Sequence, residues 1–421
     1  MGCICNEKVM KAVVFTLGCK VNSCESASIS KGLSELGYDV SDELGYADLY
    51  VLNTCAVTAE AEKKSRQLVA RVRKFNKNAK IIVCGCASQN SPNDFICKEG
   101  VTLVTGTRNK SKIPSIIDKT GVIIDDNDNY EIEALPPKRL KTRAFIKVQD
   151  GCNNFCAYCI IPYLRGRSRS RCDSEIVKEI EYLNPIEAVL TGINLSAYDF
   201  NGIKLNGLLQ RLSGVKTRIR LGSLEEVVVN NEFLLATKSL YDFAPHFHLS
   251  LQSGSDSVLK KMNRHYTTNE FLNSVNLIRS FYPRASITTD IIVGFPTETD
   301  KDFADTLNFC KKAKFSDIHC FPYSSREGTV SSKLKDLPSN VKKERLNALI
   351  TLKNELKRDF LLENVNKESY VILEEVENDY VVGYTENYIK TYVKGNEINK
   401  KVKVRLGAPY GDGLTAEIIK E

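Results

Sequence analysis

The chain has 421 residues, 42% hydrophobic and 26% charged, with a net charge of +7, a globular balance with room for two to four domains. No apolar run approaches the roughly 18–20 residues of a membrane span, and the N-terminus lacks a signal-peptide core, which argues against a membrane protein and predicts a cytoplasmic location. The fourteen cysteines then lie in a reducing compartment, where they signal metal or redox chemistry more often than disulfides.

Residues 11–18 read as a buried strand ending at Cys19, and 23–36 as a helix closed by Gly37. A second strand, 47–54, ends at Cys55 and precedes a basic helix over 59–75. A third, 80–85, ends at Cys86. Alternating strands and helices imply a parallel sheet, whose ligands gather at the carboxyl ends of its strands. Cys19, Cys55 and Cys86 all fall at that edge and can converge as a three-cysteine site; the alternative is three small buried residues at strand ends. This α/β domain spans 10–124. Cys84 sits two residues before Cys86 and competes with it as third ligand. Cys3 and Cys5 drop out if Met10 is the true start.

Residues 125–142 lose the pattern, contain Pro136-Pro137 and read as a linker. From Arg143 the β-then-α rhythm returns with candidate strands at 143–149, 187–193, 218–224, 246–252, 285–294 and 315–322. Six βα units over 143–337 predict an open six-stranded relative of the eight-stranded barrel, with chemistry at the carboxyl ends of its strands. The loop after the first strand carries Cys152, Cys156 and Cys159. Thiolates at this spacing suit an iron–sulfur cluster with one open iron, or a zinc site completed by a distant residue. Between Lys138 and Arg171, nine Lys or Arg face one acid, Asp150. This basic run brackets the cysteine loop and favours a polyanionic partner, the alternative being a solvated face. A Lys/Glu-rich helix over 338–362 leads out of the barrel. Residues 363–421 read as a small antiparallel β-barrel, in which Lys390 and Lys394 interleave with Tyr384, Tyr388 and Tyr392 as a candidate RNA-gripping face.

The Cys152-x-x-x-Cys156-x-x-Cys159 spacing resembles the signature of radical S-adenosylmethionine enzymes. The motifs Thr16–Asn22, Leu52–Cys55, Gly85–Ala87, Arg165–Arg171, Leu190–Asn194, Leu251–Ser255 and Val293–Glu298 are together similar to the methylthiotransferase family, whose C-terminal barrel is the TRAM domain. Within it, Leu-Gly-Cys-Lys-Val-Asn at 17–22 is similar to the branch acting on threonylcarbamoyl-adenosine in tRNA. The isopentenyladenosine branch resembles Gly-Cys-Gln-Met-Asn instead, and the ribosomal-protein branch Gly-Cys-Pro-Lys-Asn.

The resemblance implies two 4Fe–4S clusters. Cys152, Cys156 and Cys159 would hold one that binds and cleaves S-adenosylmethionine. Cys19, Cys55 and Cys86 would hold a second that carries sulfur. Two S-adenosylmethionine molecules per turnover would supply the methyl group and the radical that activates carbon-2 of the adenine. Gly294, Glu298, Arg220, Ser223 and Gln252 are implied cofactor contacts. Arg165, Arg167, Arg169, Arg171, Lys390 and Lys394 are implied contacts to the tRNA anticodon arm. Two other readings stand beside this one: the same chemistry on isopentenyladenosine or a ribosomal protein side chain, and a non-catalytic, metal-stabilised RNA-binding protein.

Overall fold

The computed structural model describes residues 9–108, 110–124 and 142–419; all of the expected linker at 125–142 except Thr142, and Cys3 and Cys5, lie outside them. The N-terminal part is built from β1 (Lys11–Thr16), α1 (Lys20–Glu35), β2 (Asp39–Ser41), β3 (Leu49–Thr54), α2 (Ala59–Arg73), β4 (Lys80–Gly85), α3 (Cys86–Asn90), β5 (Val101–Thr105) and β6 (Gly121–Ile123). Its sheet runs β2-β1-β3-β4-β5-β6 and every pairing is parallel. β3 is buried at all six positions because apolar clusters cover both faces of the sheet, the pattern of a parallel sheet with helices on each side.

The second unit comprises β7 (Arg143–Lys147), α4 (Ile161–Arg165), β8 (Glu187–Thr191), β9 (Arg218–Leu221), β10 (His246–Gln252), β11 (Ser286–Val293) and β12 (Asp317–Pro322). β7, β8 and β9 pair in parallel; Ser223–Leu224 carries β9 on and pairs with β10; β10, β11 and β12 continue the series. The fold class expected from the sequence is therefore borne out: an open six-stranded α/β barrel behind a parallel-sheet domain. Ile146, Leu190, Ile219, Phe247, Leu249 and Ile318 face the outer helices in one large apolar core. The alternate positions turn inward, as strand periodicity requires, and line the lumen with Arg143, Glu187, Arg220, His246, His248, Asp290 and His319.

The long helix α5 (Ser339–Asn364) follows Pro338, and five strands, β13 (Glu368–Glu377), β14 (Tyr380–Thr385), β15 (Lys390–Lys394), β16 (Lys400–Tyr410) and β17 (Gly413–Ile418), form a closed barrel. One detail departs from expectation: β15 and β17 pair in parallel, while the other four pairings are antiparallel. The eleven-residue β16 crosses the barrel between them, so β17 returns in the direction of β15. Among the described residues, no helix is long and apolar enough to cross a membrane.

Candidate metal and cofactor centre

Cys19 caps α1, Cys55 follows β3, and Cys86 opens α3 directly after β4. The three loops are sewn together by motif asparagines. Asn22 Nδ2 donates to the carbonyls of Leu17 (2.8 Å) and Thr54 (3.1 Å), and Asn53 Nδ2 donates to the Asn22 carbonyl and to Ser26 Oγ, each at 3.0 Å. Gly18 and Gly85 adopt φ of +104° and +107°, conformations open to glycine. A Cβ on Gly18 would lie 2.8 Å from Cys55 Sγ, and one on Gly85 would lie 2.4 Å from the Thr54 carbonyl. The close approach of the thiol-bearing loops depends on both.

Cys84 and Cys86 do not share an environment, although strand spacing suggested that they would. Cys84 packs in the cluster with Ala12, Val14 and Val51, whereas Cys86 packs with Val83, Ala87 and Ile161. The left-handed turn at Gly85 separates them and leaves Cys86, not Cys84, beside Cys19 and Cys55. Burial pushes the Cys55 thiol up to about 11 and raises that of Cys86, the latter opposed by Arg165. A metal that takes these sulfurs as thiolates must displace their protons.

The second triad lies in the loop after β7. Burial pushes Cys159 up to about 12 and raises Cys152, with the neighbouring thiols adding to both. Arg264 Nη1 donates to Cys156 Sγ at 3.2 Å, and Arg264 Nη2 pairs with Glu225 Oε1 at 2.8 Å. Glu225 also accepts from Asn154 Nδ2 (2.6 Å) and Asn194 Nδ2 (3.0 Å), so a single carboxylate orients three groups around the loop. Among the described residues, nothing hydrogen-bonds the buried Asn194 Oδ1. Among the described residues, no three His, Cys, Asp or Glu side chains converge closely enough for a single metal ion. A set of three thiolates is the donor set that an iron–sulfur cluster with one open iron takes.

The two triads share one apolar cluster. Cys86 and Ala87 of α3 pack with Ile160, Ile161 and Leu164, and Cys159 packs against the same group. Arg165, at the end of α4, spans the junction. It is wholly buried and donates to Glu25 Oε1 (2.9 Å), Asp150 Oδ1 (2.9 Å) and Asn22 Oδ1 (2.5 Å). Lys147 also pairs with Glu25 (2.9 Å) and Asp150 (3.1 Å), and Lys110 pairs with Glu25. These cations hold both carboxyls well below the usual range against the opposing effect of burial.

Several expected site residues are therefore reassigned. Arg165 cannot meet tRNA phosphates, because its guanidinium is spent inside the protein. Arg171 is buried against Glu179 and Glu175, and Arg169 bonds Asp150 and the carbonyls of Arg165 and Arg167. Only Arg167 of this run is exposed, its guanidinium 4.6 Å from the Phe155 ring centroid. Lys390 is spent on Glu377 (3.3 Å) and Asp412 (3.2 Å), whereas Lys394 is exposed. Arg220 clasps Glu187 through two 2.8 Å bonds and donates to the Thr385 and Glu386 carbonyls at 3.2 Å. It pins the C-terminal barrel rather than facing a cofactor.

Glu298 is likewise buried, accepting from the Gly294 amide (2.7 Å) and Arg345 Nη1 (2.6 Å). The space beside Gly294 is taken by Lys342, 2.3 Å from a Cβ built there. Phe295 nevertheless packs with Ala157 and Tyr158 beneath the cysteine loop. Ser223 is exposed on the strand that continues β9. Gln252, at the end of β10, holds φ at +72°, a strain that a non-glycine residue keeps where surrounding structure enforces it.

Glu225, Arg264 and Glu25 were not singled out from sequence. Asn194 did fall within a quoted motif; Glu25, Glu225 and Arg264 lie outside all of them.

A family model described as "Uncharacterized protein family UPF0004" matches residues 11–106, and the "Radical SAM superfamily" model matches 146–310. The chain is 39% identical, over 98% of both chains, to the threonylcarbamoyladenosine tRNA methylthiotransferase MtaB of Bacillus subtilis (strain 168). It is 34% identical to the tRNA-2-methylthio-N(6)-dimethylallyladenosine synthase of Dictyoglomus thermophilum, over 98% of this chain and 99% of that one. Among solved structures, the radical S-adenosylmethionine methyltransferase TsrM from Kitasatospora setae shares the fold, with a TM-score of 0.53 and 12% identity over 75% of this chain and 72% of that one. With thiol triads on both sides of one apolar cluster, behind a barrel of this architecture, the chain belongs to the radical S-adenosylmethionine methylthiotransferase family.

Proposed function

We propose that this enzyme attaches a methylthio group to carbon-2 of threonylcarbamoyl-adenosine beside the anticodon of tRNA, using two 4Fe–4S clusters. The observation that supports the reading is the packing of Cys86 and Cys159 on one apolar cluster, which joins a cysteine of each triad to the same core. Cys152, Cys156 and Cys159 would hold the cluster that binds S-adenosylmethionine, and Cys19, Cys55 and Cys86 a second. When bound, these groups supply one-electron chemistry, sulfur and methyl, which an unreactive aromatic C–H bond requires.

The protein's own part is positioning and charge. Glu225 fixes Asn154, Asn194 and Arg264 around the first triad, and Arg264 stabilises negative charge on Cys156. Arg165, Lys110 and Lys147 place positive charge beside the second triad. The lumen is closed below by Tyr388, which stacks on His246 at 4.6 Å, and this limits water. Its polar lining suits a polar substituent better than an isopentenyl chain. Arg167 and Lys394 remain as exposed cations for tRNA phosphates, so binding should weaken with salt.

Anaerobic reconstitution tests the cofactor reading. The chain should bind about eight irons, and Cys152→Ala and Cys55→Ala should each lose half while keeping the other cluster's signal. Zinc in place of iron would favour the non-catalytic alternative. Nucleoside analysis tests the substrate: a deletion strain should lack 2-methylthio-threonylcarbamoyl-adenosine and regain it with the gene, whereas loss of the isopentenyl product would move the assignment to that branch.

A further inference from the structure

We propose that Lys20 is the specificity-determining residue that reads the carboxylate of the threonylcarbamoyl arm; this rests on threonylcarbamoyl-adenosine being the substrate. Lys20 directly follows Cys19 as the first residue of α1, at the boundary between the second thiol triad and the barrel. Its ammonium lies 5.9 Å from the centroid of the Phe145 ring on β7. Arg143 stands on the same face of β7 as Phe145, and with Arg220 and Glu187 it is among the charged neighbours of Lys20. The side chain therefore reaches from the triad into the lumen.

The other charges of this chamber are matched. Arg143 Nε binds Glu187 Oε1 at 2.7 Å, and Arg143 Nη2 binds Glu374 at 2.6 Å. Arg220 takes both oxygens of Glu187. His248 Nε2 meets Asp290 Oδ2 at 3.2 Å, and its Nδ1 meets Thr288 Oγ1 at 2.9 Å. The two arginines thus balance the two glutamates. Among the described residues no ion pair reaches Lys20, and the residue is exposed. An accessible ammonium without a counter-ion, beside arginines already neutralised, is a place where an anion gains a charge-assisted bond without breaking an existing pair.

The substrate's chemistry supplies that anion. The threonylcarbamoyl arm hangs on the exocyclic nitrogen of adenine and ends in a carboxylate. Only ring nitrogen-1 separates the carbon that bears this arm from carbon-2, which must meet the sulfur. With carbon-2 at the triad that includes Cys19, the arm falls within the sweep of the adjoining lysine. An isopentenyl arm would leave the ammonium unpaired, so the same residue disfavours that substrate.

The test uses the reconstituted enzyme and two anticodon stem-loops, one with threonylcarbamoyl-adenosine and one with its carboxylate capped as the methylamide. Affinity is read by fluorescence anisotropy, and KM and kcat by product analysis. The native enzyme should prefer the free acid by about ten- to a hundred-fold, the range of a charge-assisted hydrogen bond. Lys20→Gln should bind both RNAs as the native enzyme binds the amide, raising KM with kcat and iron content retained, and Lys20→Arg should keep most of the preference. If native enzyme converts the acid but Lys20→Gln keeps the full preference, the proposal is overturned while the substrate reading stands. A Lys20→Gln protein that loses iron, with Lys20→Arg restoring iron but not the preference, makes the residue a prop for Cys19 and also overturns it. Native enzyme that converts neither RNA overturns the substrate reading itself.

Discussion

The guanidinium of Arg165 meets Asn22 and Glu25 of α1 and Asp150 in the stretch beyond β7, so replacing it tests a joint rather than a surface. Arg165→Met leaves Glu25 and Asp150 buried with too few cations, at a cost of about 3–5 kcal/mol, seen as a lowered melting temperature. Arg167→Ala should leave the melt unchanged and reduce the salt slope of tRNA binding by about one. A stable Arg165→Met protein with a weaker salt slope would restore Arg165 to the RNA surface. The alternating arginines of 165–171 look alike in sequence, and their basic character was legible there. Their sorting was not, because the partners that bury Arg165 lie up to 143 residues away. Glu226 offers a pH readout of the same kind. Burial, with Glu225 adding to it, pushes its carboxyl up to about 7. A raised acid favours the protonated fold, so its contribution is full below about pH 4.5 and is lost as pH rises to about 7. Glu226→Gln should remove that loss and raise stability at pH 8 by about 1–2 kcal/mol, once solvent screening is allowed for. Thermal melts from pH 5 to 8 that slope alike in both proteins would contradict this.

Among the elements, the six barrel strands were legible because each is an apolar run ended by turn residues and followed by a helical stretch. In the N-terminal sheet only β1, β3 and β4 stood out. β2 and β6 are three residues long, too short for a periodic signal, and take their strand character from the neighbour they pair with. The start of α5 was marked by Pro338, yet nothing local showed that Arg345 would reach back to Glu298 and Asp300, at 2.6 and 2.8 Å. That bond makes α5 a clamp on the loop after β11. Arg345→Ala strands a buried carboxyl and should cost about 3 kcal/mol, whereas Glu298→Gln, which keeps an acceptor for the Gly294 amide, should cost less and leave S-adenosylmethionine affinity unchanged. A large loss of that affinity in Glu298→Gln, with an unaltered melt, would return Glu298 to the cofactor.

At the scale of the whole molecule the C-terminal barrel closes the radical barrel from below. The tyrosines that the sequence offered to RNA bases are turned inward. Tyr388 stacks on His246 and lies 4.7 Å from Tyr384, with the guanidinium groups of Arg143 and Arg220 over its ring at 5.7 and 4.8 Å. Tyr392 donates its hydroxyl to Asp412 at 2.6 Å. Around this plug the docking bonds are polar: Arg220 to two carbonyls, Arg218 to the Tyr370 carbonyl (3.3 Å), Asn387 to the Arg284 carbonyl (3.1 Å), and Lys401 to Asp242 (2.6 Å). Solvent competes for such bonds, so the stacked ring and the water it excludes carry a large share of the docking. Tyr388→Ala should therefore loosen the joint by about 1–3 kcal/mol without unfolding either barrel. Hydrogen exchange should rise in residues 384–390 and in the first residues of β8, β9 and β10, while iron content holds. Tyr388→Phe keeps the stack and should behave as the native chain. Unchanged exchange in Tyr388→Ala, with weaker RNA binding, would instead mean that the ring leaves the lumen to stack on a base.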